Sequence, residues 1–293
     1  MKPGGSDMKV IMVPVADRPE CRIALDHAFS LAARLSANIV GYHLRPHRAE
    51  HAVSHGPRVT VMLEETELPP VAAADQQLNR ANAEKLFRLM AQEHGIAIGR
   101  KPRSADHSLA FWSEMVGTPG RLFGIIGPTC DCIVVSRPKR KASGPARAFM
   151  LAALLHSHKP LLIVPQRPVR QPGTRILVAW NQKPQAAAAV TAALPLLARA
   201  EAVHIVCCGK EELPGPKTAH VHNYLRHWGI GSQLHHTRGR DPSREILGVY
   251  KANRCDLLVM GAYSRGQLRE RILGGVTHEM VTAFDLPVFA LHS

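Results

Sequence analysis

The chain has 293 residues, about twice the ~150 of a single domain, so two domains are expected. Hydrophobic residues make up 45% and charged residues 20%, which excludes a disordered or collagen-like chain, and no apolar run approaches the ~18 residues of a membrane-spanning helix. Lys and Arg number 37 against 23 Asp and Glu, a net charge of +14 that favours anionic partners without naming one.

The first eight residues are polar, and the apolar stretch at 10–15 is too short for a signal-peptide core, so a cytoplasmic protein is expected. Six cysteines are too few for a disulfide scaffold. Cys130 with Cys132, and Cys207 with Cys208, lack zinc-site spacing and read as structural thiols.

In chain order, the apolar run at 9–15 predicts a strand, the pattern at 19–35 a helix, and 38–44 a second strand. An insertion over 45–75 carries Pro46, Pro57, Pro69 and Pro70 and reads as a long loop. The half closes with a strand at 131–135, a basic loop holding Arg137, Lys139, Arg140 and Lys141, a helix, and a strand at 160–164 opened by Pro160. Residues 166–173, with two prolines and a glycine, form a linker. The second half repeats this order, with strands at 175–180, 203–208, 230–237, 256–260 and 287–291, and helices at 184–200, 217–228, 242–253 and 275–284.

Runs apolar at every position belong to strands buried on both faces, so each half is a parallel sheet wrapped by helices. The expected fold is α/β: two tandem, doubly wound, five-stranded parallel-sheet domains over residues 8–166 and 173–293.

Ligands in such sheets bind beyond the carboxyl ends of the strands, where strand order reverses and helix N-termini offer free N–H groups. The loop after 256–260 is the most informative. It holds Gly261, Ser264 and the pair Gly274 and Gly275 opening a helix, with Arg265, Arg269 and Arg271 adding positive charge. Glycines there let the backbone approach a phosphate.

This segment resembles the signature loop of the universal stress protein family, G-x-x-G-x9-G-[S/T]. Gly261 fills the first glycine position, Ser264 stands at the second, Gly274 fills the third, and Gly275 stands where Ser or Thr is usual. The resemblance covers essentially the whole chain as a tandem pair and implies the nucleotide-alpha-hydrolase-like fold of that family. In members that bind ATP, an aspartate after the first strand meets adenine, small residues after the second strand complete its pocket, and the glycine loop holds ribose and phosphates. The resemblance therefore implies a site for an adenine nucleotide, ATP or AMP, in the second half. Its residues are Asn181, in place of the aspartate, with Cys208, Met260, Gly261, Ser264, Gly274, Gly275 and Val276. Gly239, ahead of the helix cap Asp241 and Pro242, lines the same crevice. No metal is expected beyond nucleotide-bound Mg.

The first half departs further: Ser136 replaces the leading glycine, no glycine pair opens the following helix, and Ala16 with Asp17 stand where the aspartate is expected. It is assigned a structural or partner-binding role. The resemblance also implies that the halves pair through their last strands, 160–164 against 287–291, as an intramolecular pseudo-dimer. A homodimer of the tandem chain remains open.

The basic run at Arg137 to Lys141 reads as a solvated loop. Aromatic residues are only 5% of the chain, so nothing supports base stacking and nucleic acid is disfavoured. His47, His51 and His55 share one face only if helical, and Gly56 and Pro57 argue for loop. His235 and His236, adjacent on a strand, face opposite ways and cannot easily share one ion. No nucleophile elbow, His-Glu-x-x-His or P-loop is present. Glu270, the one acid near the glycine loop considered as a base, reads as an exposed carboxylate. Two functions stand side by side: a stress-response regulator binding adenine nucleotide in the second half, at most a slow hydrolase, or a binding or scaffold module using its basic loops for a protein or polyanion.

Overall fold

The computed structural model describes residues 8–45, 73–101, 107–138, 144–167, 171–262, 280 and 284–292. The N-terminal half runs β1 (Val10–Pro14), α1 (Pro19–Leu35), β2 (Asn38–Arg45), α2 (Ala73–Glu93), β3 (Ala97–Ile98), β4 (Leu109–Val116), α3 (Pro119–Ile125), β5 (Cys132–Ser136), α4 (Gly144–His156) and β6 (Leu161–Val164). The C-terminal half runs β7 (Arg175–Trp180), α5 (Pro184–Leu197), β8 (Ala202–Cys208), α6 (Thr218–His227), β9 (Gln233–Thr237), α7 (Pro242–Ala252), β10 (Leu257–Gly261) and β11 (Val288–Leu291). The expected helix at 275–284 and the loop over 46–72 lie outside the described residues.

Local chemistry accounts for the helix starts. Pro19 opens α1 with its φ already helical, and Glu20 complements the positive end of the helix dipole. Leu25, Ala28, Phe29, Ala32 and Leu35 then recur at three- and four-residue spacing and are buried. Thr118 caps α3 and Asp241 caps α7, each side chain accepting the amide three residues on.

The strands form one eleven-stranded sheet in the order β3-β4-β2-β1-β5-β6-β11-β10-β7-β8-β9. Within each half every pairing is parallel. At the centre β6 and β11 pair antiparallel, with Val288 opposite Ile163, Phe289 opposite Leu162 and Ala290 opposite Leu161. The halves thus join through their last strands as the resemblance implied. The N-terminal half carries one strand beyond the expected five: β3, two residues long, extends its outer edge.

Two apolar layers sandwich the sheet, and both run across the junction. One joins α1, α2, α5 and α6 to residues such as Ile11, Val13, Leu162 and Phe289; the other joins α3, α4 and α7 to Met12, Ile163, Leu258 and Val288. Burial from both sides explains why β5, β6 and β11 are apolar at nearly every position.

The repeated aspartates opening β5 and β10 have a structural task. Asp131 accepts the amides of Lys9 and Val10 at 2.8 and 3.0 Å, and Asp256 accepts those of Gly173, Thr174 and Arg175 at 2.8 to 3.1 Å. Each ties the first strand of its half to the strand beside it across the order reversal, β1 to β5 and β7 to β10.

Candidate functional site

In each half strand order reverses beside the first strand, between β1 and β5 and between β7 and β10. The carboxyl ends at those two places are the candidate sites.

In the C-terminal half, Cys207 pairs with Trp180 and Met260 with Ala179. Asn181 and Cys208 therefore follow at one level, and Gly261 ends the neighbouring strand one residue short of them, level with Trp180. Asn181 is exposed, and its Oδ1 accepts the Lys183 amide at 3.2 Å. A Cβ on Gly261 would lie 2.6 Å from the Ala186 amide nitrogen, so only glycine allows β10 to end against the first turn of α5. Gly239 has φ +73, and a Cβ there would stand 2.6 Å from Gly209 Cα. The loops after β8 and β9 therefore touch backbone to backbone, close to Cys208. Asn181, Cys208, Gly239, Met260 and Gly261 all line this end of the sheet. Ser264, Gly274, Gly275 and Val276 lie outside the described residues.

Three further residues shape this crevice, and none was singled out from sequence. Lys217 Nζ donates to Gln182 Oε1 at 2.9 Å and to the carbonyls of Glu211 and Leu213 at 2.5 and 2.9 Å, while Trp180 Nε1 donates to Pro216 O at 2.9 Å. These bonds fold the 209–217 loop over the end of β7. Glu245 fills a concave set of amides at the start of α7, accepting from Gly239 N at 2.7 Å and Arg240 N at 2.9 Å as well as from the Thr237 hydroxyl. The Thr237 hydroxyl, helped by those amides, lowers its carboxyl to about 2. Its spacing after Gly239, Asp241 and Pro242, a turn glycine and a helix cap, is the signal that would have found it.

In the N-terminal half the ends of β1, β2 and β5 open on a pocket of about 160 Å3. Val15, Leu44, Val135 and Phe149 supply apolar walls; Arg18, Glu20, His43, Arg45 and Ser136 supply polar groups. Ser136, where the glycine was expected, donates its hydroxyl to Glu20 O at 2.5 Å. His43 is bonded through Nδ1 to Val15 O at 3.0 Å, and burial lowers its pKa, so it is a neutral ring.

Arg137 requires a correction. The sequence places it in a solvated basic loop, but it is only 6% exposed. Its guanidinium donates to Met280 O at 2.9 Å and Leu286 O at 2.8 Å, in the other half. Burial lowers its pKa to about 10, still protonated at neutral pH. Arg137 is therefore not a surface contact for a polyanion; Lys139, Arg140 and Lys141 lie outside the described residues.

The cysteines are free thiols. Burial raises Cys207 to about 11 and Cys130 to about 12, which makes both poor nucleophiles at neutral pH. No helix among the described residues is long and apolar enough to cross a membrane.

Comparisons agree with this architecture. Residues 211–292 match the model of the Universal stress protein family. A universal stress protein from Archaeoglobus fulgidus DSM 4304 shares 17% identity, covering 97% of this chain and 96% of its own, with a TM-score of 0.69. A functionally unknown protein from Pseudomonas aeruginosa PAO1 shares 13% identity, covering 97% and 92% respectively, with a TM-score of 0.60. No curated protein is matched by the chain. The chain is thus a tandem of two halves with the universal stress protein fold, and its C-terminal half, over residues 211–292, carries the match to the universal stress protein family itself.

Proposed function

We propose that the protein is a cytoplasmic stress-response regulator that binds one adenine nucleotide, ATP or AMP, in its C-terminal half. The two halves act as domains over 8–166 and 173–293. The observation that carries the reading is the placement of Asn181, Cys208 and Gly261, within one residue of a common level, at the carboxyl ends of β7, β8 and β10, beside the strand-order reversal. Gly261 then leads directly into the segment bearing Ser264, Gly274, Gly275 and Val276.

The residues present suit the ligand. Cys208 and the Gly209 and Gly239 backbones leave a small-residue wall on which a flat base can lie. The Asn181 carboxamide nitrogen supplies a donor to a base ring nitrogen, where an aspartate would accept instead. The phosphates belong to Gly274 and Gly275, whose missing side chains permit close backbone approach. Mg2+ arrives with the nucleotide, and its role is to neutralise phosphate charge. The role proposed is binding, with turnover at most slow.

Titration calorimetry with ATP and AMP on the full chain and on Gly274→Val tests the reading. Binding at about one nucleotide per chain, lost in the variant while its thermal midpoint is retained, supports it. Unchanged affinity in Gly274→Val contradicts it.

A further inference from the structure

The N-terminal pocket occupies the same topological position as the proposed nucleotide crevice, yet its chemistry is the inverse of a phosphate site. The difference begins in α1. Glu20 sits in its first turn, where the helix dipole and free amides would otherwise attract an anion from the ligand. Its carboxylate lines the pocket, so a phosphate entering there meets a like charge. Ser136, which stands where a glycine loop would begin, has its hydroxyl committed to the Glu20 carbonyl at 2.5 Å.

The cations at the rim have carboxylate partners. Arg45 lies 3.6 Å from Glu114, which also receives Arg80 at 2.6 Å and Trp112 Nε1 at 3.2 Å. Arg18 lies 3.9 Å from Glu20 Oε1, beyond hydrogen-bond range. Asp17, at the same rim, accepts the Asn82 carboxamide at 2.7 Å. His43 is neutral and bonded to Val15 O. One acceptor is left over. Glu20 Oε1 is shielded from solvent and makes no hydrogen bond among the described residues, and Glu20 lines the pocket.

A buried carboxylate oxygen without a donor is costly, and a ligand that brings an N–H to it recovers that cost. A cationic donor gains further from the charge. Apart from Gln76 and Asn79, the remaining walls, among them Val15, Ala24, Leu44, Val135 and Phe149, ask for an apolar body. A pocket of about 160 Å3 has room for roughly ten water-sized groups, which suits a single ring system with a short arm.

We infer that the N-terminal pocket binds a small, largely apolar amine, its ammonium donating to Glu20 Oε1 and its ring lying against Leu44, Val135 and Phe149. The two halves then carry different ligands: an anionic nucleotide in one and an apolar cation in the other. This assignment rests on the N-terminal pocket alone and stands whether or not the C-terminal half binds nucleotide.

Ligand-observed NMR and calorimetry on the full chain at neutral pH provide the test. The probes are phenethylamine and tryptamine, each set against the carboxylic acid of the same ring, phenylacetate and indole-3-acetate, with inorganic phosphate as a further control. The amines are expected to bind, and the acids and phosphate not. Glu20→Gln, which removes the charge but keeps the shape, is expected to weaken amine binding about tenfold or more. Ala146→Trp, which fills the pocket from α4, is expected to abolish it; Ala146 lines the pocket and is half-buried. Absence of amine binding overturns the assignment. So does equal binding of the acids, or amine affinity indifferent to both variants.

Discussion

Arg137, at the end of the fourth long strand of the N-terminal half, donates its guanidinium to the carbonyl of Leu286, which leads into the last strand of the C-terminal half, at 2.8 Å. The same group reaches Met280 O, and Gln166 closes the loop behind it by donating to Arg137 O at 2.7 Å. One buried cation of the N-terminal half thus bonds two backbone carbonyls of the C-terminal half. Replacing it with Met keeps the apolar stem and strands both acceptors. Arg137→Met is expected to lower stability by about 2–4 kcal/mol, from the cost of two buried unpaired carbonyls. Chemical denaturation reads this directly, and a loss below about 0.5 kcal/mol would remove Arg137 from the junction's energetics.

The β6–β11 pairing makes a second prediction. Phe289 and Leu162 face each other and are at most 2% exposed, and both apolar layers continue across them. Truncation of a buried Phe typically costs about 3–5 kcal/mol. Phe289→Ala is expected to lose that much while the chain still unfolds in one transition, seen alike by fluorescence and far-UV circular dichroism. Two separate transitions in the parent protein would show that the halves fold independently.

Much of this architecture was legible in the sequence because burial on both faces writes itself as unbroken apolar runs. The C-terminal strands fall within a residue or two of expectation, except that β9 starts at Gln233 rather than 230, since Gly229 at φ +70 extends the turn before it. β3 escaped notice because two residues, Ala97 and Ile98, carry no period. Arg137 was misread for a different reason. Its neighbours in sequence are basic and polar, and its partners lie 143 and 149 residues away, where no local pattern points. Glu20 was overlooked because a first-turn glutamate is ordinary and its unbonded buried oxygen exists only in three dimensions, whereas Glu245 was overlooked although its place after Gly239, Asp241 and Pro242 marks it.

Glu245 also yields a pH dependence. The Thr237 hydroxyl, with the amides of Gly239, Asp241 and Arg240, lowers its carboxyl from 4.5 to about 2. The folded value lies below the unfolded one, so the stabilisation is complete above pH 4.5 and is lost as pH falls toward 2. Glu245→Gln is expected to melt below the parent at pH 7, with the gap closing as pH falls through that window. A gap that stays constant from pH 7 to 2.5 would mean that the carboxylate is not what the amides hold.

The central claim, a single adenine nucleotide in the C-terminal half, is tested most directly by mass spectrometry of the small molecules released when the purified protein is denatured. The account predicts an adenine nucleotide at about one per chain, absent from Gly274→Val. Two per chain would place a nucleotide in the N-terminal pocket as well, against the charge of Glu20. None, together with no calorimetric response to added ATP or AMP, would contradict the nucleotide assignment altogether.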